Sequence, residues 1–172
     1  MYKLVRPLLF CIDSETVHNQ MLSLGVFLSD LGFGALLDSR YHFEHNALQT
    51  QVFGINFKNP VGPAAGFDKA GKLINLLPAL GFSHVQVGDV SLLPWPGNPT
   101  PRLFRLVKDK GIINRLGQNN LGAETIASLL KSVKPTVPIA VSLVKTPDPK
   151  ILGQRGVDDL SSVIKNWRLW LA

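Results

Sequence analysis

The sequence predicts an α/β protein of parallel βαβ units behind an N-terminal helical segment, on three observations. From Thr50 onward short β-like runs alternate with amphipathic helical stretches, and strands separated by such helices pair in parallel through right-handed crossovers. The candidate strands Val61–Gly66, Val85–Gly88 and Pro138–Val144 are short and largely apolar, as in a sheet covered on both faces. The composition, 45% hydrophobic and 17% charged, is that of a globular chain able to bury a core. The length of 172 residues limits the architecture, because a complete eight-stranded (β/α) barrel needs roughly 200 or more.

The elements follow in order. Asp13 or Ser14 caps a helix whose apolar residues Val17, Met21, Leu24, Leu28 and Leu31 recur in steps of three and four. Leu22, Val26 and Phe27 widen that face, and Phe33, Leu36 and Leu37 extend it past Gly32. So oily a helical pair has two readings: packing on its own domain, or an interfacial membrane foot. Gln51–Phe57 with Lys58-Asn59-Pro60 reads as a hairpin and Val61–Gly66 as a buried strand. Asp68–Leu80 reads as a helix, with Leu73, Leu76, Leu77 and Leu80 at i, i+3, i+4 and i+7. The strand Val85–Gly88, a Pro-rich excursion Leu92–Gly117, the helix Gly122–Val133, the strand Pro138–Val144 and the helix Val157–Trp170 complete about three units.

Charge and cysteine content exclude several classes. The net charge is +6, but residues 1–46 hold three basic against five acidic side chains, so a polybasic membrane-binding head is unsupported. Arg102, Arg105, Lys108, Lys110 and Arg115 cluster without a nucleic-acid module or an aromatic stacking pattern, and no nucleic-acid partner is expected. A single cysteine, Cys11, forms no intrachain disulfide, and the apolar start lacks a secretory cleavage site. Asp30 interrupts the longest apolar run, so no bilayer span is expected; no metal-ligand cluster stands out.

In βα units the working groups sit at the carboxyl ends of strands and in the loops that follow. Ala64-Ala65-Gly66-Phe67-Asp68-Lys69 offers small residues against which a flat ligand can lie, with a cation beside them. Asn114-Arg115-Leu116-Gly117-Gln118-Asn119-Asn120 gathers amides and a guanidinium suited to a planar polar ring, although Asn119 and Asn120 equally suit the start of a helix. Lys145 closes the third strand as another candidate cation.

The runs NPVGPAAGFDKAG, PGNPTPRLFRL and INRLGQNNLGA, in this order and spacing, resemble the class 2, quinone-using dihydroorotate dehydrogenases. The start MYKLVRPLLF with Asp13, Glu15 and His18 is similar to the N-terminal helical extension of that class. The resemblance covers essentially the whole chain but about the first half of a family member. It implies an incomplete TIM (β/α) barrel over residues 47–172, preceded by a membrane-associating extension over residues 1–46 that forms the quinone tunnel. It implies FMN-dependent oxidation of dihydroorotate to orotate in pyrimidine biosynthesis, with quinone as the acceptor. Carried over position by position, Ala65, Gly66, Lys69, Asp89 and Ser142 fall at the FMN site. Lys69, Asn114, Arg115, Leu116, Gly117 and Gln118 fall at the pyrimidine site, and His18 and Arg105 in the quinone tunnel.

Departures from the family pattern cluster at the flavin. Asp89 stands where the family has a threonine that contacts FMN, and its carboxylate opposes the negative charge of reduced flavin and orotate. Gln118 replaces a phenylalanine, Leu93 an arginine, and Val141-Ser142-Leu143-Val144-Lys145-Thr146 a run close to VNIGKN, so that Ser142 loses an amide's paired donor and acceptor. By the same resemblance the serine base and the FMN phosphate loops belong beyond Ala172, so no catalytic residue is assigned. The sequence therefore supports a family member inactive as this chain, or a non-catalytic remnant that binds a membrane or a partner. An unpaired strand edge favours oligomers or aggregates. A start without transit-like character favours a peripheral protein on the cytoplasmic side of a bacterial inner membrane, with a processed form at the mitochondrial inner membrane as the alternative.

Overall fold

The computed structural model describes residues 2–171. Its helices are α1 (Tyr2–Phe10), α2 (Ser14–Asp30), α3 (Gly34–Tyr41), α4 (Ala123–Lys131) and α5 (Gln154–Leu171). Its strands are β1 (Thr50–Val52), β2 (Ile55–Phe57), β3 (Val85–Val90), β4 (Leu103–Leu106), β5 (Gly111–Asn114) and β6 (Ile139–Leu143). β3 and β6 pair in parallel, Val85 opposite Ile139 and Val87 opposite Val141, with a register shift before Val90 and Leu143. α4 connects this pair and packs against α5. Val85, Val87 and Val90 are fully buried, as a parallel strand covered on both faces requires.

α2 begins where the Asp13 carboxylate accepts the Thr16 backbone N–H at 2.8 Å, satisfying one of the helix's free amide groups. The helix is two-sided. Leu22 and Val26 pack against the core of Leu73, Ile74, Leu76, Leu77, Val85 and Val87. Gly25 lies so close to that core that a Cβ there would stand 2.8 Å from a Leu73 methyl. The stripe singled out by periodicity has Met21, Leu24 and Leu31 exposed instead, so the packing reading holds for the Leu22 and Val26 side of the helix. α3 rests on a short 3-10 turn, Pro78–Leu80.

Three expectations are corrected. Val61–Gly66 forms no regular strand. It runs beside β3, where the Val61 and Pro63 carbonyls accept the N–H groups of Ser83 and Gln86 and Gly66 N–H reaches the Gly88 carbonyl. Pro60 and Pro63 have no N–H to complete a ladder. Two parallel strands therefore pair among the described residues, where three were expected.

Asp68–Leu80 is a chain of turns rather than a helix. The Asp68 carboxylate takes the N–H groups of Lys72 and Leu73 at 2.9 and 2.6 Å, and Gly71 sits at φ +72°, outside the helical region. The spacing of Leu73, Leu76 and Leu77 still buries all three. Third, the Pro-rich excursion contains an antiparallel hairpin, β4 with β5. The expected hairpin at 51–57 forms as β1 with β2, turning at Phe53-Gly54.

Candidate functional site

A cavity of about 620 Å³ opens between α2 and the loops at the carboxyl end of β3. Glu15, His18, Asn19 and Leu22 come from α2, Gly66, Asp68 and Lys69 from the loop beside β3, Trp95 and Leu116 from the excursion, and Asn119 from just after it. The wall is apolar on the excursion side, where Trp95, Pro96 and Leu116 stand, mixed on the helix side, where Leu22 lies beside Glu15, His18 and Asn19, and cationic at Lys69. Lys69 Nζ donates to the Asn119 carbonyl at 3.2 Å and to the Asn119 side-chain oxygen. Burial pushes the Lys69 ammonium below the usual lysine range, with Arg102 adding to the shift and Asp89 and Glu15 opposing it. His18 stacks edge-on against Phe67, ring centroids 5.8 Å apart.

The excursion is held by local bonds. Asn120 is buried and binds both Ser91 and the Gln118 carbonyl, while its own side-chain oxygen accepts Gly122 N–H at 2.9 Å. Asn120 thus braces the loop that leads into α4, whose first turn carries no side-chain cap, and Asn119 is the residue that meets Lys69. Asn98 donates to the Arg115 carbonyl at 2.7 Å and lies against Gly117.

Among the residues assigned by resemblance, Gly66, Lys69, Leu116 and His18 line the cavity. Asn114 and Arg115 are exposed; the Asn114 side-chain oxygen accepts Leu116 N–H at 3.0 Å and Arg115 reaches toward the Pro99 carbonyl. Ala65, Gly117 and Gln118 are not in its wall, and Gln118 adopts φ +57°. Asp89 and Ser142 bind each other across β3 and β6, Ser142 Oγ donating to Asp89 Oδ1 at 2.6 Å. Arg105 lies outside the cavity wall and donates to the Ile12 carbonyl at 2.8 Å, its guanidinium 4.8 Å above the Phe10 ring. Lys145 points into its own loop, bonding the Thr146 and Ile151 carbonyls at 2.8 and 2.9 Å, which corrects its reading as a ligand cation.

Sequence reasoning assigned no role to one pair. Arg102 Nε and Nη2 donate to the two oxygens of Glu15 at 2.9 and 2.6 Å, with side chains only 11% and 17% exposed. Eighty-seven residues separate the partners, so no local pattern could announce the contact. The hydrogen bond from Arg102 holds the Glu15 carboxyl below its ordinary value of 4.5, with Lys69 assisting and burial and Asp13 opposing. Glu15 therefore binds a proton more weakly when folded, and its contribution to stability is full above the ordinary value and lost as pH falls through the lowered one. The difference in melting temperature between wild type and Glu15→Gln is expected to shrink as pH drops below 4.5. A difference constant down to pH about 3 would contradict this linkage.

A parallel strand pair with a cavity at its carboxyl end, walled by small residues, a half-buried lysine and amides, defines a ligand-binding α/β protein. The dihydroorotate dehydrogenase family model matches residues 47–168, and the chain belongs to that family. A dihydroorotate dehydrogenase (quinone) of Christiangramia forsetii is 48% identical over 136 residues, 78% of this chain and 40% of the relative. One from Roseiflexus castenholzii is 39% identical over 164 residues, 94% of this chain and 44% of the relative. The crystal structure of an Eimeria tenella DHODH in complex with ferulenol superposes with a TM-score of 0.63 at 26% identity, covering 88% of this chain and 42% of that one. The chain thus spans less than half the length of these relatives, and its architecture is that of part of a TIM-barrel family.

Proposed function

We propose that the chain serves the FMN-dependent oxidation of dihydroorotate to orotate in pyrimidine biosynthesis, with a quinone as electron acceptor, and that the Asp89 carboxylate slows that reaction. The observation carrying this reading is the cavity that joins His18 and Leu22 of the N-terminal helix to Lys69 and Asn119 at the strand ends. Such a space suits an acceptor that is apolar on one side and meets a polar reacting centre on the other. On this reading β3, β6 and the extended segment before Gly66 are the first units of the barrel, and residues 1–46 are the extension through which the quinone enters.

The residues fit a flavin along one edge. Gly66, at φ +95°, has nothing within 4 Å of the place a Cβ would take, which leaves its backbone open to a flat ring. Lys69 supplies a cation next to it, and Ser142 and Asp89 lie at the ends of the paired strands. The flavin, when bound, accepts the hydride of dihydroorotate. Lys69 and the Asn119 amide orient the anionic pyrimidine, and Leu22, Trp95 and Leu116 keep water from the acceptor side. Asp89 adds a carboxylate that opposes every anion formed there.

Exposed apolar residues on α1 and α3, Leu4 at 84%, Leu8 at 68% and Leu36 at 63%, support peripheral contact with a membrane, on this reading the inner membrane from its cytoplasmic side. No single described helix is long and apolar enough to cross a bilayer; α2 and α3 meet the length and composition test only as a pair bent by 102°. The same exposed surface favours the second reading, a non-catalytic membrane- or partner-binding module. A hybrid decides between them: residues 47–168 of this chain replace the matching stretch of the Christiangramia forsetii relative, whose remaining length is retained. We expect a yellow, flavin-loaded hybrid that forms orotate about a hundredfold more slowly than its parent, the effect of about 2.7 kcal/mol of added barrier. A folded hybrid without flavin would overturn the enzymatic reading and leave the module.

A further inference from the structure

The Arg102 guanidinium has more partners than a surface ion pair. Besides both oxygens of Glu15, Nη1 donates to the Pro96 carbonyl at 2.6 Å and the Asn98 carbonyl at 2.9 Å. One side chain thereby ties three pieces together: the first turn of α2, the Pro96–Asn98 turn and the start of β4. Glu15 and Pro96 both line the cavity, and His18, Asn19 and Leu22 follow Glu15 on the same helix. Arg105, three residues along in β4, holds the Ile12 carbonyl just before α2. Outside these contacts α2 meets the rest of the chain through His18 against Phe67 and, in its middle and second half, through Leu22, Gly25 and Val26 on the core.

We propose that Glu15 and Arg102 are a positioning pair that sets the separation of the two cavity walls, α2 with His18 and Leu22 on one side and the loop carrying Trp95 on the other. This rests on the reading of the cavity as a quinone site. A planar fork with fixed donors suits the task, because a bidentate pair fixes direction as well as distance. Lysine keeps the charge but supplies a single point of contact and cannot hold Glu15 and two carbonyls in one plane. Neither Glu15 nor Arg102 needs to touch the quinone; each acts through the placement of His18, Leu22 and Trp95.

The test uses the full chain and decylubiquinone as probe, followed by quenching of tryptophan emission, with Trp95→Phe assigning the quench to the cavity. Arg102→Lys and Glu15→Gln are each expected to weaken the apparent affinity about tenfold, and the double variant no more than either alone, because they break one interaction. Far-UV ellipticity confirms that these variants are folded. In Arg102→Ala, added methylguanidinium is expected to restore quenching, and in Glu15→Gln/Arg102→Ala it is not, a response that general destabilisation would not produce. Wild-type quenching combined with variant affinities within about twofold of it would overturn the positioning role alone. No quenching in the wild type would overturn the quinone reading and the positioning role with it.

Discussion

Asp89→Thr in the hybrid enzyme is expected to raise the rate of orotate formation at least about tenfold over the hybrid that keeps Asp89. The physical cause is charge. Asp89 is bound to Ser142 Oγ at 2.6 Å across the ends of β3 and β6, and its field reaches Lys69 in the cavity wall. Like charges a few ångströms apart in a partly screened site repel by about 2–4 kcal/mol, enough to account for one to two decades in rate. Threonine removes the charge and keeps a hydroxyl between the strands. Asp89→Asn separates charge from shape: it preserves size and an oxygen that accepts from Ser142, and should recover most of the gain. Orotate assays in which the Asp89→Thr and Asp89→Asn hybrids turn over no faster than the hybrid that keeps Asp89 would remove that carboxylate as the block.

The second large effect is on stability. Gly88→Ala is expected to cost about 2–4 kcal/mol, lowering the melting temperature by roughly 5–15 °C. Gly88 adopts φ +115°, a region that alanine rarely enters, and a Cβ there would stand 2.6 Å from the Ser142 carbonyl oxygen and 3.0 Å from its Cβ. Both contacts lie between the paired strands, where β3 cannot retreat: Val87 and Val90, on either side, are fully buried, and the Gly88 carbonyl accepts Gly66 N–H at 2.9 Å. The same residue therefore joins the strand pair to the loop that carries Lys69. Thermal unfolding followed by ellipticity measures the shift; a variant that melts within about 2 °C of wild type would show that the strands part without cost.

These two positions show how unevenly the sequence spoke. Asp89 was identifiable as a departure because it sits inside a contiguous motif, one residue after a glycine whose neighbours match the family. Its partnership with Ser142 was not, since the two stand 53 positions apart and no local pattern joins one departure to the other. The elements α2, α4, β3 and β6 follow from capping and apolar runs, which are properties of neighbouring residues. Asp68–Leu80 misled because a step of three or four describes any tight winding that buries one side; the Asp68 carboxylate and Gly71 turn it into successive turns. Val61–Gly66 misled because an apolar extended segment that follows Pro60 and contains Pro63 has the composition of a strand but too few N–H groups for a ladder.

By itself, the sequence determined the family, the alternation of strand and helix, and the loop of small residues before Lys69, because each is written in adjacent side chains. The tertiary structure alone decided which residues share the cavity. It turned Asn114 and Arg115 outward, folded Lys145 onto its own loop, put the Leu22 and Val26 side of α2 against the core, and closed Glu15 on Arg102. Periodicity shows that a helix has an apolar face but not what that face meets. A pairing between distant side chains exists only once the chain has brought them together.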